Sequence, residues 1–219
     1  MEKTDTKKVR SMYRVRLSNQ NSSRNNFFMK TIGILGIQGA IEEHEAMLQS
    51  IGCNTRWVKE SKDLRSIDGI ILPGGESTSM GKQLEWSGLM EPLRKAIAKG
   101  MPAFGTCAGM ILLAKELEGN NLQSRLGLMN IVVKRNAYGS QLDSFVTDLK
   151  VKGFAQPLPA VFIRAPRIEA CGEGVETLAS YKEHPVLVRQ GNMMAASFHP
   201  ELTDCTELHR YFAEQMVSE

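Results

Sequence analysis

From Thr31 onward the sequence alternates between two periods, and that alternation narrows the available folds more than any other feature. Thr31–Ile37 is a short apolar run that turns at Gln38-Gly39. Ala40–Ile51 then puts Ile41, His44, Leu48 and Ile51 on one helical stripe. Cys53–Val58 and Asp68–Leu72 read as further strands, the second stopped by Pro73-Gly74-Gly75, and Ser77 or Thr78 is placed to cap the next helix. Glu91–Lys99 is helical and ends at Gly100; Met101–Thr106 is a buried strand, and Ala108–Leu117 reads as a helix. Strand–helix alternation of this kind predicts an α/β fold: three layers, with a mostly parallel central sheet flanked by helices, as in flavodoxin-like proteins. Leu128–Lys134, Ser144–Val151, Ala160–Ile163, Val186–Gln190 and Met193–Phe198 look strand-rich, with Gly191-Asn192 as a two-residue turn and a closing helix over Thr206–Val217. No linker or repeat interrupts the run, so residues 29–219 read as one domain.

Charge separates this domain from what precedes it. Residues 1–29 carry seven Lys/Arg against Glu2 and Asp5, a balance of +5, whereas the whole chain carries +3; the other 190 residues therefore hold −2. A folded part with no basic excess is not built for nucleic acid. Residues 1–28 show no apolar periodicity and no apolar stretch of a secretory signal, and are expected to be a disordered extension. No apolar run approaches the roughly 20 residues of a membrane span. The four cysteines, Cys53, Cys107, Cys171 and Cys205, lack zinc-ligand spacing, so no metal is expected; without a disulfide framework, a reducing cytoplasm fits.

Three segments carry chemistry. In Phe104-Gly105-Thr106-Cys107-Ala108-Gly109 a buried strand runs straight into a helix, with glycines two before and two after a cysteine. That is the pattern of a nucleophile elbow, in which a tight turn pushes the nucleophile out above the sheet. A helix N-terminus favours a thiolate at Cys107, and the Ala108 N–H is placed for an oxyanion. Taken alone, the same turn also suits a structural cysteine. Ser197-Phe198-His199-Pro200-Glu201 follows the last strand; in extended chain His199 and Glu201 project to one side, giving a base and an acid to orient it. In Pro73-Gly74-Gly75-Glu76-Ser77 adjacent glycines allow close approach of a ligand and backbone N–H groups free to complete the oxyanion hole. Of the other histidines, His44 reads as core or interface, and His184 and His209 as surface.

Together these segments resemble the class I, triad-type glutamine amidotransferases. Gly36-Ile37-Gln38-Gly39-Ala40 with Glu43-His44, Arg135-Asn136 with Tyr138-Gly139, and Val161-Phe162-Ile163-Arg164-Ala165-Pro166 narrow the likeness to the glutaminase subunits of pyridoxal 5′-phosphate synthase. The resemblance implies Cys107 as nucleophile, His199 as base and Glu201 as orienting acid. It further implies Gly75, Glu76, Ser77, Arg135, Ile163 and Arg164 around glutamine, with the Gly75 and Ala108 N–H groups as oxyanion hole. Ser140 departs from the pattern, which often has Arg there.

The implied reaction is glutamine to glutamate and ammonia through a thioester. The ammonia would pass to a barrel-shaped synthase subunit in a large hetero-oligomer, and that subunit, not this one, would hold the pyridoxal phosphate. On this basis the chain is expected to be labelled both a hydrolase and, through the synthase, a lyase. The rival is a glutaminase serving histidine or purine synthesis.

Overall fold

The computed structural model describes residues 30–119, 122–135 and 144–217. The expected extension at 1–28 and the Ser140 departure lie outside them. The first half runs β1 (Thr31–Leu35), α1 (Ile41–Ser50), β2 (Asn54–Val58), a 3₁₀ turn at Ser61–Ser66, β3 (Gly69–Leu72), α2 (Ser77–Trp86), α3 (Met90–Ala98), β4 (Ala103–Thr106) and α4 (Ala108–Leu113). It continues as β5 (Ala114–Leu117), β6 (Met129–Lys134), β7 (Ser144–Leu149), β8 (Leu158–Ile163), β9 (Arg167–Cys171), β10 (Glu176–Tyr181), β11 (His184–Gln190) and β12 (Met193–Ala196). A 3₁₀ turn at Pro200–Leu202, α5 (Glu207–Tyr211) and a π-turn at Phe212–Met216 close the chain.

Seven strands form the central sheet in the order β10-β11-β12-β4-β3-β1-β2. The contacts β2/β1, β1/β3, β3/β4 and β4/β12 are parallel, and β11 alone runs against its neighbours. Side chains alternate across it as the strand period requires. Ile70 and Leu72 point into one core with Met80, Leu84, Leu93 and Leu112, while Ile71 and Phe104 point into the other with Leu48, Leu208 and Phe212. A sheet buried on both faces accounts for the near-continuous apolar strands. The expected three-layer architecture is present, with an addition. A β5-β6-β9 sheet joins the helices on one face and the β7–β8 hairpin joins those on the other.

Several local expectations change. Ala108–Leu117 is not one helix: it ends at Leu113, and Ala114–Leu117 pairs with β6. Sheet pairing there overrides the helical propensity of Ala-Lys-Glu-Leu. Helix α2 is capped neither by Ser77 nor by Thr78. The Glu76 carboxylate accepts from Thr78 N at 3.0 Å and Ser79 N at 2.7 Å. Gly100 does end α3, at φ +109°, and Gly191 makes the turn between β11 and β12 at φ +56°. None of the described helices is long and apolar enough to cross a membrane.

Candidate active site

The site forms where β3, β4 and β12 end side by side, at the carboxyl edge favoured by α/β proteins. Cys107 follows β4 directly and has φ 48° and ψ −100°, a conformation costly for a residue with a Cβ. Its neighbours show why the spacing of glycines is needed. A Cβ on Gly105 would lie 2.6 Å from the Gly109 carbonyl carbon, and one on Gly109 would lie 1.9 Å from Leu72 O. Helix α4 thus sits against the end of β3, and Cys107 N donates to Ala196 O at 2.8 Å. The elbow is clamped between two strands.

His199 is held from the other side, its N–H donating to Val161 O of β8 at 2.8 Å. Beyond it the chain does not stay extended as expected. Pro200 opens a 3₁₀ turn, which curls Glu201 back beneath the ring and leaves His199 Nδ1 2.7 Å from Glu201 Oε1. Proline fixes φ and lacks the N–H a strand would use. Both residues are buried. Gly74 lines the same space: a Cβ there would meet His199 Cε1 at 2.4 Å and Cys107 Cβ at 3.4 Å.

Burial alone would lower the His199 pKa, but interaction with Cys107 and the hydrogen bond and charge of Glu201 outweigh it and raise it to about 10. For Glu201 burial works the other way, and His44 and His199 outweigh it, holding the carboxyl below the ordinary range. The geometry therefore favours an imidazolium between sulfur and carboxylate. Burial pushes the Cys53, Cys171 and Cys205 thiols up instead. A stability signature follows from the sign of these shifts. His199 gains a proton on folding, so its contribution is complete below pH 6.5 and is lost as pH rises through about 10. Denaturant unfolding should show the wild type losing roughly 2–4 kcal/mol over that window, and Glu201→Gln should flatten the loss.

The remaining sequence candidates fall into two groups. Gly75 packs tightly: an added Cβ would stand 3.2 Å from Met80 Sδ and 3.3 Å from Gly39 Cα. Gly74 O accepts from Ala40 N at 3.1 Å, so the planar peptide turns Gly75 N–H away from Ala40. Ala108 and Ser77 are buried at the first positions of α4 and α2. Ile163 ends β8, the strand that bridges to His199, and Arg164 follows it at φ +42°, a second strained non-glycine beside the site. Glu76 and Arg135 meet one another. Arg135 Nη2 lies 3.3 Å from Glu76 Oε1, and its Nη1 donates to Thr78 Oγ1 and Gln123 Oε1, each at 2.9 Å. Burial opposes the Glu76 charge, but the Ser79 and Thr78 N–H groups and Arg135 hold its pKa down. This guanidinium braces the start of α2.

Of the two histidines behind Glu201, sequence reasoning missed one: His44 is in the core as expected, whereas His209 is not where it was expected. His209, expected at the surface, is fully buried, as is His44. The signal was present: His209 lies three, four and seven residues before the buried Phe212, Ala213 and Met216, on their stripe. Gln38 and Gln123 were not expected to be buried polar groups, yet Gln38 Oε1 and Gln123 Nε2 are buried without partners.

Comparison with known proteins gives the family. The profile of the SNO glutamine amidotransferase family matches residues 34–218. The pyridoxal 5′-phosphate synthase subunit PdxT of Kosmotoga olearia is 50% identical over 187 residues, 85% of this chain and 97% of that protein. The protein of the same name from Bacillus velezensis is 48% identical over 194 residues, 87% of this chain and 98% of its own. A crystal structure of a glutamine amidotransferase superimposes with a TM-score of 0.82 at 45% identity, covering 86% of this chain and 99% of the other. A glutamine amidotransferase from Thermotoga maritima, at 13% identity and a TM-score of 0.58 over 85% of this chain and 83% of its own, shares the fold. The label of lyase does not hold: the matched family is an amidotransferase family, and a cysteine beside a His–Glu pair is equipped to split an amide with water. By sequence over most of its length, the chain belongs to the SNO glutamine amidotransferase family.

Proposed function

We propose that this protein hydrolyses L-glutamine to L-glutamate and ammonia. It would deliver the ammonia, in the cytoplasm, to a barrel-shaped synthase subunit of a large hetero-oligomer making pyridoxal 5′-phosphate. The reading is carried by one observation: a strained cysteine at a strand–helix elbow shares the Gly74 cradle with a buried His199–Glu201 pair at 2.7 Å. The Cys107 sulfur attacks the side-chain amide carbon, and the oxyanion is met by the Gly75 and Ala108 N–H groups. His199 gives its proton to the departing nitrogen, which leaves as ammonia and a glutamyl thioester. The now neutral His199 takes a proton from water, water opens the thioester, and glutamate leaves with the sulfur restored. Glu201 keeps the imidazole in place throughout. Gly75, Glu76, Ser77, Ile163 and Arg164 line the glutamine site. Arg135, which braces Glu76, stands beside them for the substrate carboxylate. On this reading the chemistry of this subunit needs no cofactor and no metal.

Identity of about half over nearly the full length of pyridoxal 5′-phosphate synthase subunits favours that pathway over histidine or purine synthesis. The test combines this chain with glutamine, a pentose phosphate, a triose phosphate and the barrel-shaped synthase partner. Pyridoxal phosphate, followed by its absorbance, is expected to form from glutamine at a rate that depends on this chain. Formation from ammonium salts but not from glutamine would contradict the proposal.

A further inference from the structure

Glu201 has two carboxylate oxygens, and His199 accounts for one. The other, Oε2, is buried without a hydrogen-bond partner; 3.5 Å from it is His44 Nε2. That nitrogen also lies 3.1 Å from Thr106 Oγ1, on the residue just before the nucleophile. The opposite nitrogen, His44 Nδ1, is 2.9 Å from His209 Nε2, and His209 Nδ1 ends the series buried and without a partner. Both rings are fully buried. Four elements converge here: α1 brings His44, β4 brings Thr106, α5 brings His209 and the 3₁₀ turn brings Glu201.

Proton placement along this series follows from its two ends. If His44 Nδ1 carried the hydrogen, His44 Nε2 would aim a lone pair at a carboxylate oxygen. His209 would then hold its hydrogen on Nδ1, leaving a buried N–H unpaired. If His209 carries its hydrogen on Nε2 and His44 on Nε2, the far end is only a bare lone pair. The donor at the near end then faces Thr106 Oγ1 and Glu201 Oε2. A buried unpaired N–H is rarer in folded proteins than an under-satisfied acceptor, which favours the second arrangement.

We infer that His209 and His44 form a one-way pair of neutral imidazoles whose terminal N–H steadies the outer oxygen of Glu201, making His44 a positioning residue for the triad. Burial lowers the pKa of both rings, that of His209 to about 3, so neither competes with His199 for the proton. The charged and titratable groups facing His44 are Glu201, His199 and His209 from other elements and Glu43 from its own helix. Of these Glu201 and, less strongly, Glu43 draw a proton toward His44, and burial, with His199, outweighs that pull. The arrangement ties the C-terminal helix to the catalytic carboxylate through side chains alone.

The inference rests on Cys107, His199 and Glu201 acting as the triad. Its test uses the full-length chain and reads the rate of Cys107 alkylation by iodoacetamide against pH, resolved by peptide mass spectrometry. Without the His44 N–H, Glu201 accepts a proton at higher pH, and His199 then loses the anion that keeps it charged. In His44→Leu the acid limb of the profile is expected to move up by about one pH unit. His44→Gln, which retains a donor and an acceptor, should restore the limb to within about 0.3 units of wild type. Should His44→Leu fail to fold, His209→Leu reads the same series and should move the limb in the same direction. An unmoved limb in the folded leucine variant, or an equal shift in His44→Gln, would overturn the inference while leaving the triad standing. Wild-type alkylation that does not favour Cys107 over Cys53, Cys171 and Cys205 would overturn both.

Discussion

Cys107→Ala is expected to abolish glutamine hydrolysis, with a loss of about 10⁶-fold in kcat, as for removal of the nucleophile in a comparable triad. No other group in the site can form the thioester. In the proposed mechanism His199 and Glu201 manage a proton, and the N–H groups of Gly75 and Ala108 stabilise charge without making a bond. The fold should survive, because alanine removes only the sulfur from a residue already 8% exposed and relieves none of the packing around Gly105 and Gly109. Ammonia release with the synthase partner present measures the first part and thermal unfolding the second. Hydrolysis within tenfold of wild type would remove Cys107 from the chemistry.

Gly109→Ala should have the largest effect on folding. Its Cβ would fall 1.9 Å from Leu72 O and 2.7 Å from Leu72 C, both backbone atoms of a fully buried strand. No rotamer change relieves that clash, so α4 must move off β3 and the Cys107 turn with it. A loss of about 4 kcal/mol or more, roughly 10 °C or more in Tm, is expected, together with loss of activity. Gly100→Ala is the contrast. Nothing lies within 4 Å of its Cβ, and only the positive φ of 109° opposes it, so about 1 kcal/mol is expected. Equal melting temperatures for the two variants would show that close approach, as distinct from backbone conformation, does not set the need for glycine at 109.

The elbow was legible in the sequence because its requirement is steric. Two glycines flanking Cys107 at a strand–helix junction mark a tight turn, though not by themselves a nucleophile, and the Cβ contacts at Gly105 and Gly109 are the reason they are needed. The parallel sheet was legible because strands buried on both faces leave continuous apolar runs such as Gly69–Leu72 and Ala103–Thr106. Strand β9 was not, since its Arg-Ile-Glu-Ala-Cys is only partly buried and takes its order from pairing with β6. Strand β5 was absorbed into the preceding helix for a related reason: Ala-Lys-Glu-Leu is locally helical, and only the distant β6 makes it extended.

The same limit shaped the reading of the site. His199 and Glu201 were found by their spacing, but the turn that joins them is set by Pro200 and by the bridge from His199 to Val161. Glu76 was expected against substrate; what its carboxylate contacts in the fold is the start of α2, which it caps, and Arg135. His44 and His209 are 165 residues apart in sequence, and no local pattern joins them. Only the packing of α1 against α5 brings the two rings together behind Glu201.

If one sulfur among four performs the chemistry, covalent trapping tests it most directly. The chain, mixed with its barrel-shaped synthase partner, is treated with a glutamine-like diazoketone and digested, and the modified peptide is located by mass spectrometry. A single adduct on Cys107 is expected, slowed by added glutamine and absent from Cys107→Ala, because burial holds the thiols of Cys53, Cys171 and Cys205 protonated. An adduct on any of those three with Cys107 unmodified, or labelling that glutamine does not slow, would contradict it.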